Sequence, residues 1–221
     1  MADIILVRHG QASFGSANYD VLSDTGHRQA KALGAALAAE GVRPTRLVRG
    51  DLRRHRETLD GVAESLGIST ENATIDAGLD EFAFQGLMVA RFGFDGLPDG
   101  YANDRRSYFA ALGETVLMWQ RGELVDPPEP FETFAARVSE AFDALAQGDG
   151  PVLAVTSGGP IAFLVARLMG APHSQMLPIQ MQIKNCSLTR FMRRDGAAML
   201  HTFNETPHIN AQSAAELLTY A

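Results

Sequence analysis

The chain has 221 residues, 46% of them hydrophobic, a single cysteine and a formal charge of −7. That length and apolar content suit one large core in a single domain, and the acidic balance excludes a general binder of nucleic acid or of an anionic membrane, which would need an excess of Lys and Arg. No apolar run reaches the ~20 residues of a membrane span, no basic-then-apolar leader opens the chain, and the lone Cys186 allows no internal disulfide, so a soluble cytoplasmic protein is expected.

Ile4-Ile5-Leu6-Val7 is a run of branched aliphatics, the pattern of a strand covered on both faces, and it stops at Arg8, His9 and Gly10. In open α/β sheets ligands sit beyond the carboxyl ends of such strands. Arginine offers a planar fork of donors for phosphate or carboxylate, and neutral imidazole can act as nucleophile or general base, so the pair points to chemistry on an anion. Ser13 to Tyr19 reads as a loop. Ser23 and Asp24 then cap a helix running to about Glu40, with Ala30, Leu33, Gly34 and Leu37 as its buried stripe.

Leu47-Val48 marks a second strand ending at Gly50-Asp51, and Leu59, Val62, Ala63 and Leu66 mark a second amphipathic helix closed by Gly67. Arg43, Arg46, Arg49, Arg53, Arg54 and Arg56 crowd this segment, mostly as a solvated helix face, and His55 among them reads as a surface side chain. Ala73-Thr74-Ile75 is a third strand. Leu79-Asp80-Glu81 follows as an acidic loop that is either solvated or partly buried beside Phe82 and Phe84.

Residues 86–130 read as an insertion, a candidate lid, with loops around one helical piece near Arg105 to Arg121. Its Phe92, Phe94, Tyr101, Tyr108, Phe109 and Trp119 read first as core and second as pocket lining. A helix from near Phe131 buries Phe134, Val138, Phe142 and Leu145. Pro151 to Val155 is another buried strand, and Thr156-Ser157-Gly158-Gly159-Pro160 leads into a helix with Ile161, Leu164, Val165 and Leu168 inward. Leu188 to Met192 and Met199 to Phe203 pair as a hairpin about Asp195-Gly196. The alternation of strands and helices predicts an α/β fold of three α/β/α layers, with a mostly parallel sheet, an antiparallel edge strand and one domain over 1–221.

Arg8-His9-Gly10-Gln11, followed by Leu22-Ser23, Gly26 and Gln29-Ala30, resembles the signature of the histidine phosphatase superfamily, relatives of phosphoglycerate mutase. The segment from Gly50 to Thr58 resembles its second motif, Ser-x-Leu-x-Arg with a later Thr, with Gly50 in the serine's place. Leu79-Asp80-Glu81 resembles its Leu-x-Glu. Asn185 to Leu188 and Asn204 to Ile209 resemble its closing strand and its Asn-x-x-x-His ending. The resemblance implies that His9 accepts the phosphoryl group as phosphohistidine, that Arg8 and Arg54 hold the phosphate, and that Glu81 protonates the leaving oxygen. It implies no metal and no cofactor. Where the family has Ser or Thr, then His, Gly, Gly, this chain has Thr156-Ser157-Gly158-Gly159, so Ser157 stands in the place of the second catalytic histidine, and the backbone N–H groups of Gly158 and Gly159 are expected to help hold the phosphate.

The leading expectation is therefore a metal-free phosphatase acting on a small phosphorylated substrate, without nucleic acid or membrane, and slow because Ser157 carries no charge. Mutase activity is disfavoured because the Glu-Arg-His-Tyr-Gly segment of phosphoglycerate mutases is missing. Two other classes stand beside it. One is a non-catalytic binder of phospho-ligands or phosphate. The other is a serine hydrolase with Ser157 on a strand-to-helix elbow and Asp195 with His201 or His208 downstream. A Ser157→His change is expected to raise turnover wherever the pocket has room for the ring.

Overall fold

A computed structural model describes residues 4–13, 20–93, 105–194 and 197–220. Among them, six strands form one sheet in the order β3-β2-β4-β1-β5-β6: β1 (Ile4–Arg8), β2 (Arg46–Arg49), β3 (Thr74–Ile75), β4 (Val152–Thr156), β5 (Leu188–Arg194) and β6 (Ala197–Glu205). The first four run parallel to one another, and the β5–β6 hairpin is added antiparallel to β1 at one side. Its Asp195-Gly196 turn, like Phe94 and Tyr101, lies outside the described residues.

Every position of β1 and of β4 is buried, because helices cover both sheet faces. Ile4 and Leu6 point into one core with Trp119, Phe134 and Phe191, while Ile5 and Val7 point into the other with Leu33, Leu37, Leu59 and Val62. At ~1.5–3 kcal/mol per fully buried aliphatic side chain, this central strand is held firmly, and so is the His9 backbone that follows it.

The second core is covered by α1 (Asp24–Ala39) and α2 (Arg53–Leu66). They lie close enough that a β-carbon on Gly34 would overlap the Val62 carbonyl oxygen. Ser23 caps α1 by accepting from Gly26 N, and α2 ends in a left-handed Gly67. The first core lies under α3 (Phe84–Phe92), α4 (Arg105–Gln120), α5 (Phe131–Ala146) and α6 (Gly158–Leu168). The short α7 (Met176–Gln180) and α8 (Ala214–Leu217) complete the helices of the described residues.

Two expectations change here. The segment before residue 94 holds a helix, α3, where only loop was expected: Leu87 and Met88 bury side by side without the repeating stripe that announces a helix. Leu168 is exposed rather than inward, since it closes the last turn of α6. Of the insertion's aromatics, Trp119 is core, stacked among Phe82, Phe131 and Phe134, and Phe92, Tyr108 and Phe109 pack against that core.

Candidate active site

Arg8 and Thr156 are register partners on neighbouring parallel strands, so the residues after them emerge side by side: His9 N donates to Thr156 O at 2.9 Å, and Ser157 follows Thr156. The turn after β1 is fixed from several sides. Gly10 N donates to Thr58 Oγ1 (3.0 Å), which donates in turn to Arg54 O (2.7 Å). Asn185 Nδ2 and Cys186 N both donate to the His9 carbonyl at 3.3 Å. A β-carbon on Gly10 would come within 2.7 Å of Gly26 O, and one on Gly26 would overlap Gln11 O, so the loop rests on α1 only because both are glycine. Gln11 and Gln29 belong to the same packing: Gln11 N donates to Gln29 Oε1, whose amide ties in Leu217 O and Thr219 Oγ1.

His9 is buried, and its Nδ1 lies 2.7 Å from Gly10 O. A carbonyl oxygen can only accept, so Nδ1 carries the proton and Nε2 keeps its lone pair. Burial first, then the Arg54 and Arg8 guanidinium groups and His55, holds its pKa well below the usual 6.5, which keeps the ring neutral.

Arg8 is buried beside the N-terminus of α6 and donates through Nη1 to Ile183 O. Arg54, in the first turn of α2, donates to Asp20 Oδ1 at 2.8 Å, and Asp20 Oδ2 accepts from Arg53 N at 2.9 Å. A carboxylate at the start of α2 thus engages the arginine expected to bind phosphate, a partner that sequence spacing did not announce. Glu81 Oε2 accepts from Gly159 N (3.1 Å) and Gln180 Nε2 (3.3 Å), and its pKa is raised by burial against the opposing pull of that amide, Arg54 and Arg8. A β-carbon on Gly159 would overlap Glu81 Oε1, so the glycine admits this carboxyl. Because Gly159 N is taken by Glu81, Gly158 rather than the pair offers the α6 N-terminus to an anion.

His55 corrects the reading of a surface side chain, for it is wholly buried. Its Nε2 lies 2.8 Å from Ser157 Oγ, its Nδ1 lies 3.4 Å from Asp80 Oδ1, and its ring centroid is 5.8 Å from that of His9. Burial lowers its pKa and Asp80 opposes this; burial raises the Asp80 pKa, but His55 and the amides of Asp51 and Leu52 outweigh it, leaving Asp80 below its usual value. One signal was available in the sequence: 55, 59, 62 and 66 continue a single helical stripe with Leu59, Val62 and Leu66. The imidazole beside Ser157 is therefore that of His55, and His201 is exposed on β6. Among the described residues no three His, Cys, Asp or Glu side chains gather as metal ligands.

A mostly parallel sheet thus carries an arginine and a histidine at the end of β1, with a second arginine in the first turn of α2. The chain belongs to the histidine phosphatase superfamily (branch 1), whose profile matches residues 4–206. It is 30% identical over 147 residues, 63% of this chain and 66% of the other, to the 2,3-bisphosphoglycerate-dependent phosphoglycerate mutase of Azorhizobium caulinodans. The protein of that name from Mesorhizobium japonicum is 27% identical over 191 residues, 80% of this chain and 86% of the other. Among solved structures, phosphoserine phosphatase from Entamoeba histolytica in complex with 3-phosphoglyceric acid matches with a TM-score of 0.64 and 18% identity, covering 94% of this chain and 99% of that one. No helix among the described residues is long and apolar enough to cross a membrane.

Proposed function

We propose that the protein hydrolyses small phosphomonoesters through a phosphohistidine at His9. The observation that carries this reading is the His9 ring itself: Nδ1 is pinned to the Gly10 carbonyl, and burial with Arg54 and Arg8 keeps the ring neutral. Nε2 attacks phosphorus as the ester P–O bond breaks, and the leaving oxygen takes the proton of Glu81, whose raised pKa suits it to carry one. Water then attacks the phosphohistidine, its proton goes to the Glu81 carboxylate, and inorganic phosphate leaves with His9 restored. Arg8, Arg54 and the Gly158 N–H bear the charge on the equatorial oxygens.

Hydrolysis is preferred over the mutase activity named for the curated relatives because this chain lacks the Glu-Arg-His-Tyr-Gly segment. A serine in the second histidine's place would by itself argue for slow turnover. The serine-hydrolase reading gains from the Asp80–His55–Ser157 line, but it leaves Arg8, His9 and Arg54 without a task. Incubation with p-nitrophenyl phosphate tests the proposal: wild type releases nitrophenol and His9→Ala does not. Equal release by His9→Ala overturns it.

A further inference from the structure

His55 is a buried imidazole that the mechanism above does not use. Burying a polar ring is costly unless its nitrogens find partners; Nε2 has one in Ser157, Nδ1 makes no hydrogen bond and has only the Asp80 charge facing it, and the ring is met from four sides. Ser157 approaches Nε2 from the β4–α6 junction, Asp80 faces Nδ1, His9 stands beside it from β1, and Arg54 and, farther out, Asp20 add their charges. Space is made for it as well, since only a glycine at position 50 leaves room for both the ring and the Asp80 carboxylate.

We propose that His55 is the second imidazole of the phosphoryl site, a positioning residue that works through Ser157, so that the Asp80–His55 pair sets the direction of the Ser157 hydroxyl proton. The inference rests on the hydrolytic reading. Asp80 Oδ1 lies 3.4 Å from Nδ1, and its negative charge favours hydrogen on that nitrogen. While the ring is neutral, Nε2 accepts from the Ser157 hydroxyl, whose oxygen then turns lone pairs toward any arriving phosphate. Once Nε2 is protonated it donates to Ser157 Oγ, and the serine proton is free to bond a non-bridging phosphoryl oxygen. No covalent bond changes at Ser157. A dianion in the site favours the second arrangement, so binding takes up a proton at His55, and the charge that a histidine at 157 would supply directly arrives one hydroxyl removed.

The test compares wild type with His55→Ala, His55→Gln, His9→Ala and the exchange His55→Ala/Ser157→His, on p-nitrophenyl phosphate. Loss of one donor to transition-state charge costs about 100-fold or more, so His55→Ala should lose on the order of 100-fold in kcat with a smaller change in KM. The exchange variant, which returns a ring to the vacated volume, should recover roughly tenfold or more of that loss. On this substrate, whose leaving group needs no proton, loss of the His55 proton lowers kcat/KM as pH rises, so the limiting slope on the alkaline side should be one proton steeper in wild type than in His55→Gln, which cannot titrate. Sulfate, a dianion that does not itself titrate near neutrality, provides a readout independent of turnover. Its affinity should fall with pH one proton more steeply in wild type than in His55→Gln.

Normal kcat in His55→Ala, an unchanged slope in His55→Gln, or an exchange variant that binds sulfate yet is no faster than His55→Ala overturns the inference. If His55→Ala fails to fold, His55→Gln and the sulfate slopes decide, and equal slopes count against it. Activity surviving in His9→Ala condemns the hydrolytic reading instead. Loss in His9→Ala with normal His55 variants condemns this inference alone.

Discussion

Gly50 and His55 share one volume: a β-carbon at 50 would overlap Nδ1 of the imidazole and Oδ1 of Asp80. The glycine lies at the end of β2, with Gly50 N donating to Val155 O at 3.0 Å, so neither the backbone nor the buried ring has room to yield. Gly50→Ala should therefore cost ~1–3 kcal/mol, the usual penalty for overpacking a tight interior. Urea unfolding monitored through Trp119 measures this. A variant as stable as wild type would show that the ring is free to move aside.

Stability should fall as the solution is acidified below about pH 6.5. Burial lowers the pKa of His9, His55 and His208, the last to about 4, so each binds a proton more readily unfolded than folded. Between its folded value and its usual 6.5 the unfolded chain holds the extra proton, and stability therefore rises with pH by up to ~1.4 kcal/mol per unit for each group. Glu81 acts oppositely, since burial raises its pKa and the folded state keeps a proton that the unfolded chain releases. Three histidines against one carboxyl leave the slope positive. Melting curves from pH 5 to 7 should show it, shallower in His208→Gln. A flat profile in wild type would contradict the burial of these rings.

Glu81→Gln should slow hydrolysis of an alkyl phosphate by roughly 100-fold or more, the usual contribution of a positioned general acid. The loss should be much smaller for p-nitrophenyl phosphate, whose leaving group departs without a proton. Gly159→Ala, whose β-carbon would displace the same carboxyl, should reproduce the pattern. Equal losses on both substrates would remove Glu81 from the role of proton donor.

The strands, the capped α1, the stripe of α2 and the β5–β6 hairpin were legible because periodicity and turn residues report local burial directly. Arg8, His9, Arg54 and Glu81 were legible as a set only through the resemblance, since their meeting depends on the β1–β4 register and on helix packing. His55 was signalled only by its place on the α2 stripe, and its role in the site was not legible. In an arginine-rich turn a histidine reads as solvated, and its two neighbours, Asp80 and Ser157, are 25 and 102 residues away in the chain. Room for a larger residue at 157 was likewise not readable, because the ring that fills it comes from another element. Ser157→His alone should therefore weaken folding or turnover rather than raise turnover.

Ser157 should not be labelled by a fluorophosphonate probe, despite the line it forms with His55 and Asp80. Its hydroxyl is fully buried and bonded to His55 Nε2 at 2.8 Å, while an acyl nucleophile has to reach the electrophile of an incoming probe. Ser157→Ala should slow turnover yet leave the phosphoenzyme intact. Stoichiometric labelling at Ser157 would make the serine the nucleophile.

The account stands on His9 as the phosphoryl acceptor, and rapid quench with a turned-over phosphomonoester measures this most directly. Wild type should trap phosphate on the protein that is labile in acid and stable in base, mapped to His9, and His9→Ala should trap none. An undiminished phosphoenzyme in His9→Ala, or phosphate that survives acid and maps to Ser157, would contradict it.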